Sequence, residues 1–240
     1  MPQQNSAETA TLIIWDYNGT LINDGEIWAE ASQNFYRALR LNFSKKQIRE
    51  AYDTPISKMI KRLTGKLPED FNAALFQEAK DAFRRTIDHY TPFVQPREGI
   101  PELLKAFSKA GFHQIIVSNH QQDLLVDEIS SARLESHFDL ISGRQDEDEI
   151  FEKTTKADRI ISSIEKLEHL MKQKFSHNFL IGDSPEEARI RDEVKKSGIS
   201  IRSIGFNGGF STSEIMDKAG HDHIVNDTDE IMQAVLSVSP

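Results

Sequence analysis

The sequence predicts an α/β fold, a parallel sheet flanked by helices, with an all-helical segment inserted after the first strand. Three observations carry that expectation. Short apolar runs rich in Ile, Val and Leu recur along the chain, bounded by Gly, Asn, Asp or Ser, which is how buried parallel strands read. Amphipathic helical stretches lie between them. From about residue 23 to 90 the rhythm breaks into helical pattern alone, too long for an ordinary strand-to-helix connection.

Taken in order, residues 1–8 show neither a basic patch nor an apolar core and read as a loose tail. The first strand is expected over 11–15. Helical segments follow near 26–39, 44–52, 56–63 and 71–90, with Thr54-Pro55 and Leu67-Pro68 as boundaries. Strands are expected again over 113–117, 138–141, 178–181, 199–204 and, more weakly, 223–225. Between them, Leu103, Leu104 and Phe107 form one helical apolar face, and Ile160, Ile164, Leu167 and Met171 another. The division this suggests is a core of residues 1–21 and 95–240 and a helical cap of residues 22–94. The acidic run at 146–149 reads as a solvated loop.

The chain of 240 residues has 29 Lys and Arg against 38 Asp and Glu, a net charge of -9, and no cysteine. That balance disfavours phosphate-backbone partners, so no nucleic-acid role is expected. The absence of cysteine removes disulfides, thiolate nucleophiles and Cys-based zinc sites. No apolar run is long enough to span a membrane. A cytoplasmic protein that works with oxygen and nitrogen groups is the expectation.

Open parallel sheets bind ligands beyond the carboxyl ends of their strands. There the sequence places Asp16-Tyr17-Asn18-Gly19-Thr20, then Ser118-Asn119, then Gly182-Asp183-Ser184, with Lys153 or Lys156 opening the helix before the fourth strand. Two carboxylates and a backbone carbonyl suit Mg²⁺ with a substrate phosphate as further ligand. A carboxylate can itself attack phosphorus.

These segments resemble the haloacid dehalogenase-like superfamily. The strand leading into Asp16-x-Asn18-Gly19-Thr20-Leu21 looks like its first motif, Ile115-Ile116-Val117-Ser118-Asn119 its second, and Phe179-Leu180-Ile181-Gly182-Asp183-Ser184 its fourth. The run from Gln95 to Leu104 is similar to the return from a helical cap in phosphoglycolate-phosphatase-type members. The resemblance implies a Rossmann-like core and a Mg²⁺-dependent hydrolase of a small phosphorylated metabolite. Asp16 would be the nucleophile and a metal ligand, Asn18 would lend its backbone carbonyl, and Asp183 would be the second metal carboxylate. Ser118, Asn119 and Thr20 would hold the phosphoryl group, and Lys156, favoured over Lys153, would pair with nucleophile and phosphate.

One residue departs from the pattern. Phosphatases of the family carry Asp two positions after the nucleophile as general acid and base; here it is Asn18, which transfers no proton. Losing such help costs about 10²–10⁴-fold. A slow phosphatase, a member with different chemistry such as phosphonate cleavage, a weakly active binding protein, and an Asp-to-Asn variant all fit this sequence. Phosphonate cleavage would call on a cap lysine, Lys58 or Lys61. Ser184-Pro185-Glu186-Glu187 reads as a helix start with a capping box; the resemblance implies for Glu187 the place of the family's second acid, four residues after the metal aspartate, and the two readings stand side by side. Lys58 and Arg62 share a helix face and read first as solvated, second as a clamp for an anionic substrate group. Gly220-His221-Asp222-His223 reads as a loop entering a strand, not a metal site.

Overall fold

A computed structural model describes residues 10–145 and 156–238. The N-terminal residues 1–9, the acidic run at 146–149 and Lys153 lie outside the described residues. Six parallel strands form one sheet in the order β3-β2-β1-β4-β5-β6: β1 Ala10–Trp15, β2 His113–Gln121, β3 Leu140–Arg144, β4 Phe175–Gly182, β5 Arg202–Phe206 and β6 His223–Val225. Five α-helices separate β1 from β2, the first four being α1 Gly25–Ala38, α2 Lys45–Ala51, α3 Ile56–Thr64 and α4 Ala73–Tyr90. The remaining helices are α5 Ile100–Lys109, α6 Gln122–Ser131, α7 Lys156–Met171, α8 Glu186–Lys196, α9 Ser213–Ala219 and α10 Thr228–Leu236.

Alternation along the strands explains why both faces are covered. Ile13 and Trp15 pack with Ile116, Phe179 and Ile181 against α5, α6 and α10. Leu12 and Ile14 point the other way, with Ile115, Val117 and Leu180, against α7 and α8. A third cluster belongs to the four-helix insertion, through Phe35, Tyr36, Ile48, Met59, Ile60 and Ala79. One residue from outside it joins in: Phe210, from the segment after β5.

Local chemistry sets the helix starts. The Ser44 side chain accepts from the Gln47 N–H while Gln47 reaches back to the Ser44 N–H, a complete capping box on α2. Asn72 caps α4 through the Leu75 N–H, so that helix starts two residues later than the apolar pattern of residue 71 suggests. Strand ends shifted most. β2 runs four residues past the expected 117, which carries Ser118 and Asn119 inside the strand, and β5 begins at Arg202 rather than 199. Apolar runs mark the buried middle of a strand and say little about polar ends that stay paired. Among the described residues no helix is long and apolar enough to cross a membrane.

Candidate active site

Register brings three strand ends level. Trp15 of β1 pairs with Ile116 of β2 and Ile181 of β4, so Asp16, Ser118 and Asp183 emerge side by side on one rim. The Asp16 N–H donates to the Ile181 carbonyl at 2.9 Å, fixing where the β1 turn leaves the sheet. A small cavity of about 40 Å³ opens there, lined by Asp16, Asn18, Ser118 and Asp183 among others.

Lys156, the first residue of α7, is fully buried under this cavity. Its Nζ lies 2.8 Å from Glu187 Oε1, 3.1 Å from Asp16 Oδ1 and 4.0 Å from Glu186 Oε2. Burial works to lower the ammonium's pKa, but Asp16 and the two glutamates outweigh it and hold the group charged. Burial also works to raise Glu187, yet the short contact to Lys156 keeps this carboxyl below its ordinary value. Glu186, farther from the lysine, is pushed up by burial, as is Asp16. Asp183 is pushed up to about 8, by burial first and by the Asp16 charge second. Asp16, Glu186 and Glu187 thus share one ammonium, and with the buried Asp24 and Asp183 nearby the site has a surplus of negative charge.

The sequence-expected residues meet here, with contacts that refine their places. Thr20 is fully buried, and its hydroxyl donates to Asp183 Oδ1 at 3.3 Å. Asn119 is gripped on both sides: its Oδ1 accepts from Arg159 at 2.8 Å and its Nδ2 donates to both Glu186 oxygens at 3.2 Å. The Ser118 hydroxyl accepts from the His120 N–H at 3.2 Å. Glu187 serves two purposes. Besides binding Lys156, its Oε2 accepts from the Ser184 N–H at 3.2 Å and the Ser184 hydroxyl at 2.9 Å, closing the capping interaction at the start of α8.

Gly19 and Gly209 make room for Asp183. A Cβ on either would collide with its carboxylate, and Gly19 also sits at φ +70. Gly19→Ala combines a left-handed backbone with that collision, so it should cost about 2 kcal/mol or more, read as a lowered Tm.

Asp24 has no counterpart in the sequence reading. Asn18 Nδ2 donates to its Oδ2 and the Gly19 N–H to its Oδ1, each at 2.6 Å. Burial pushes its carboxyl up to about 6, with these two donors pulling the other way. Asn23-Asp24-Gly25 looks like an ordinary turn before a helix, and Asp24 occupies the N-cap position of α1 without capping it. No sequence signal marks a side chain that folds back on the preceding loop. Tyr52 and Phe210 were equally hidden: both line the cavity, with ring centroids 4.7 Å apart. The Phe210 N–H donates to Asp183 Oδ2.

Other candidates stay apart from the rim. Lys58 Nζ donates to the Thr54 carbonyl at 3.1 Å, and Arg62 binds the Ala51 carbonyl and Asp53. Lys58 and Lys61 are exposed. Asp222 accepts from the Ser203 N–H and pairs with Arg191, a structural role at the β5–β6 edge.

A family model for haloacid dehalogenase-like hydrolases matches residues 13–199, most of the chain and every strand end just described. The chain belongs to that family. Within this family of hydrolases it is 27% identical over 132 residues to a phosphoglycolate phosphatase of Thiobacillus denitrificans, a match that takes in 54% of this chain and 58% of that relative. The match therefore spans little more than half the length of the curated relative. Among solved structures, a predicted phosphatase from Clostridium acetobutylicum superposes with a TM-score of 0.75 at 20% identity, covering 96% of this chain and 100% of that one. A hydrolase from Pseudomonas syringae gives 0.73 at 15%, covering 97% and 100%. Protein tyrosine kinase A of Mycobacterium tuberculosis gives 0.70 at 16%, covering 95% and 99%. Neighbours with such different names share the fold alone, so chemistry has to be argued from the site.

Proposed function

We propose that this haloacid dehalogenase-like hydrolase is a Mg²⁺-dependent phosphatase that cleaves a small-molecule phosphomonoester through an aspartyl phosphate on Asp16. The observation that carries it is the Asp16 carboxylate at the mouth of a buried cavity, held 3.1 Å from Lys156 and lined on the other side by Asp183. Asp16 attacks phosphorus, the bond to the leaving oxygen breaks, and water then cleaves the acyl phosphate to release inorganic phosphate and restore the carboxylate. Lys156 orients Asp16 and offsets charge. The Ser118 hydroxyl binds a phosphoryl oxygen, and Thr20 positions Asp183 rather than touching phosphate.

The donor set fits Mg²⁺. Asp16, Asp183 and the Asn18 backbone carbonyl are hard oxygen ligands, and the surplus of buried carboxylates over Lys156 is the charge a divalent cation neutralises. When bound, Mg²⁺ supplies electrostatic stabilisation of the transferring phosphoryl group. Residues 22–94 act as a cap over the core of 1–21 and 95–240. Support comes from Trp28 and Tyr52 in the cavity wall and from Arg189, whose Nη1 lies 2.7 Å from Asp53. The acidic net charge favours a small-molecule substrate over a nucleic-acid partner.

Phosphate release from 4-nitrophenyl phosphate is the test. EDTA should reduce release to background and added Mg²⁺ should restore it; release indifferent to both sinks the metal assignment. Asn18 keeps the enzyme slow, and a single repair fails. Asn18→Asp would set two carboxylates against each other where an N–H···O bond of 2.6 Å now stands. We expect that variant to melt several degrees below the parent without gaining activity. Asn18→Asp with Asp24→Asn reverses the bond's direction and should recover the lost stability, as measured by thermal denaturation.

A further inference from the structure

Beside the catalytic cavity lies a far larger one, of about 380 Å³. Trp28 and Asn119 line both, so the two share a wall. The large cavity sits between the helical insertion and the carboxyl end of β2, and its wall is mostly apolar: Trp28, Phe35, Tyr36, Ile56, Met59 and Phe83. Trp28 and Phe83 meet edge to face, centroids 4.9 Å apart, offering ring faces and edges to a flat ligand.

Tyr36 contributes to this wall, while its hydroxyl is buried out of contact with the cavity and has no hydrogen-bond partner among the described residues. A two-carbon leaving group would occupy little of 380 Å³, a volume in the range of about 300–1,000 Å³ that sites for drug-sized molecules occupy.

Building on the phosphatase reading, we propose that the leaving group of the substrate is a bulky, predominantly apolar, ring-bearing alcohol seated in the cavity between Trp28 and Phe83, and not a short polar chain. The phosphoryl group occupies the rim at Asp16, and the ring system lies across the Trp28–Asn119 wall under the helical insertion. Specificity then resides in α1, α3 and α4, while the chemistry resides in the core.

The test compares 2-(1-naphthyl)ethyl phosphate with ethyl phosphate, alkyl esters of similar leaving-group basicity, in Mg²⁺. Burying the rings should raise kcat/KM about 100-fold. An advantage under about threefold, or a preference for ethyl phosphate, overturns the inference while leaving the phosphatase reading intact. Phe83→Ala should cut the naphthyl ester's kcat/KM about tenfold and leave ethyl phosphate unchanged, the latter serving as the control for folding. Equal losses on both esters would count against the cavity. Should neither ester turn over, calorimetric titration with 2-(1-naphthyl)ethylphosphonate and ethylphosphonate decides. Tighter binding of the naphthyl compound by at least about tenfold sustains the cavity assignment after the phosphatase reading has failed; equal binding ends both.

Discussion

Asp16→Ala should lower Mg²⁺-dependent phosphate release by at least about 10⁴-fold, the scale on which loss of a covalent nucleophile is felt. Stability should hardly change. Asp16 is one of three carboxylates within 4.0 Å of a single ammonium, and Lys156 retains Glu187 at 2.8 Å when Asp16 is gone. The fold therefore loses a repulsion along with an attraction. A melting temperature within a few degrees of the parent, together with abolished release, is the expected pair of results. Release at parental rate from the alanine variant would remove Asp16 from the chemistry.

Lys156→Met should damage the fold as well as the reaction. Methionine fills the volume but leaves Glu187 fully buried with no cation and Asp16 facing its acidic neighbours. Breaking a buried ion pair from one side costs about 3–5 kcal/mol. For a chain of this size that is roughly 6–20 °C in Tm. Lys156→Met with Glu187→Gln should regain part of the stability, because the amide can still accept from Ser184, but none of the activity. A Lys156→Met variant as stable as the parent would show that the lysine is not what holds the carboxylates.

How far the sequence discloses this site depends on the kind of residue. Asp16, Ser118 and Asp183 were legible because each follows an apolar run, and parallel strands in register bring the ends of those runs to one rim. Lys156 was legible from its place at a helix start. Its rival Lys153 lies outside the described residues. Asp24 was not legible, since its importance comes from a side chain turning back six residues to Asn18. Tyr52 and Phe210 were hidden for a related reason: they reach the cavity through packing between segments more than 150 residues apart in sequence, which no local pattern encodes. Helix positions in the insertion followed from amphipathic spacing, whereas strand ends drifted by two to four residues because polar residues at a rim remain paired without looking like strand.

Phe210 gives the molecule a mechanical property. Its main-chain N–H holds the Asp183 carboxylate, while its ring is part of the core of the helical insertion and stacks near Tyr52. The two ends of one residue are thus anchored in bodies that carry different tasks. The insertion cannot lift away without exposing that ring to water or pulling the N–H from Asp183. In the proposed cap role, opening for exchange of reactant and product would be geared to the grip on that carboxylate, with a single phenylalanine as the tooth that meshes them.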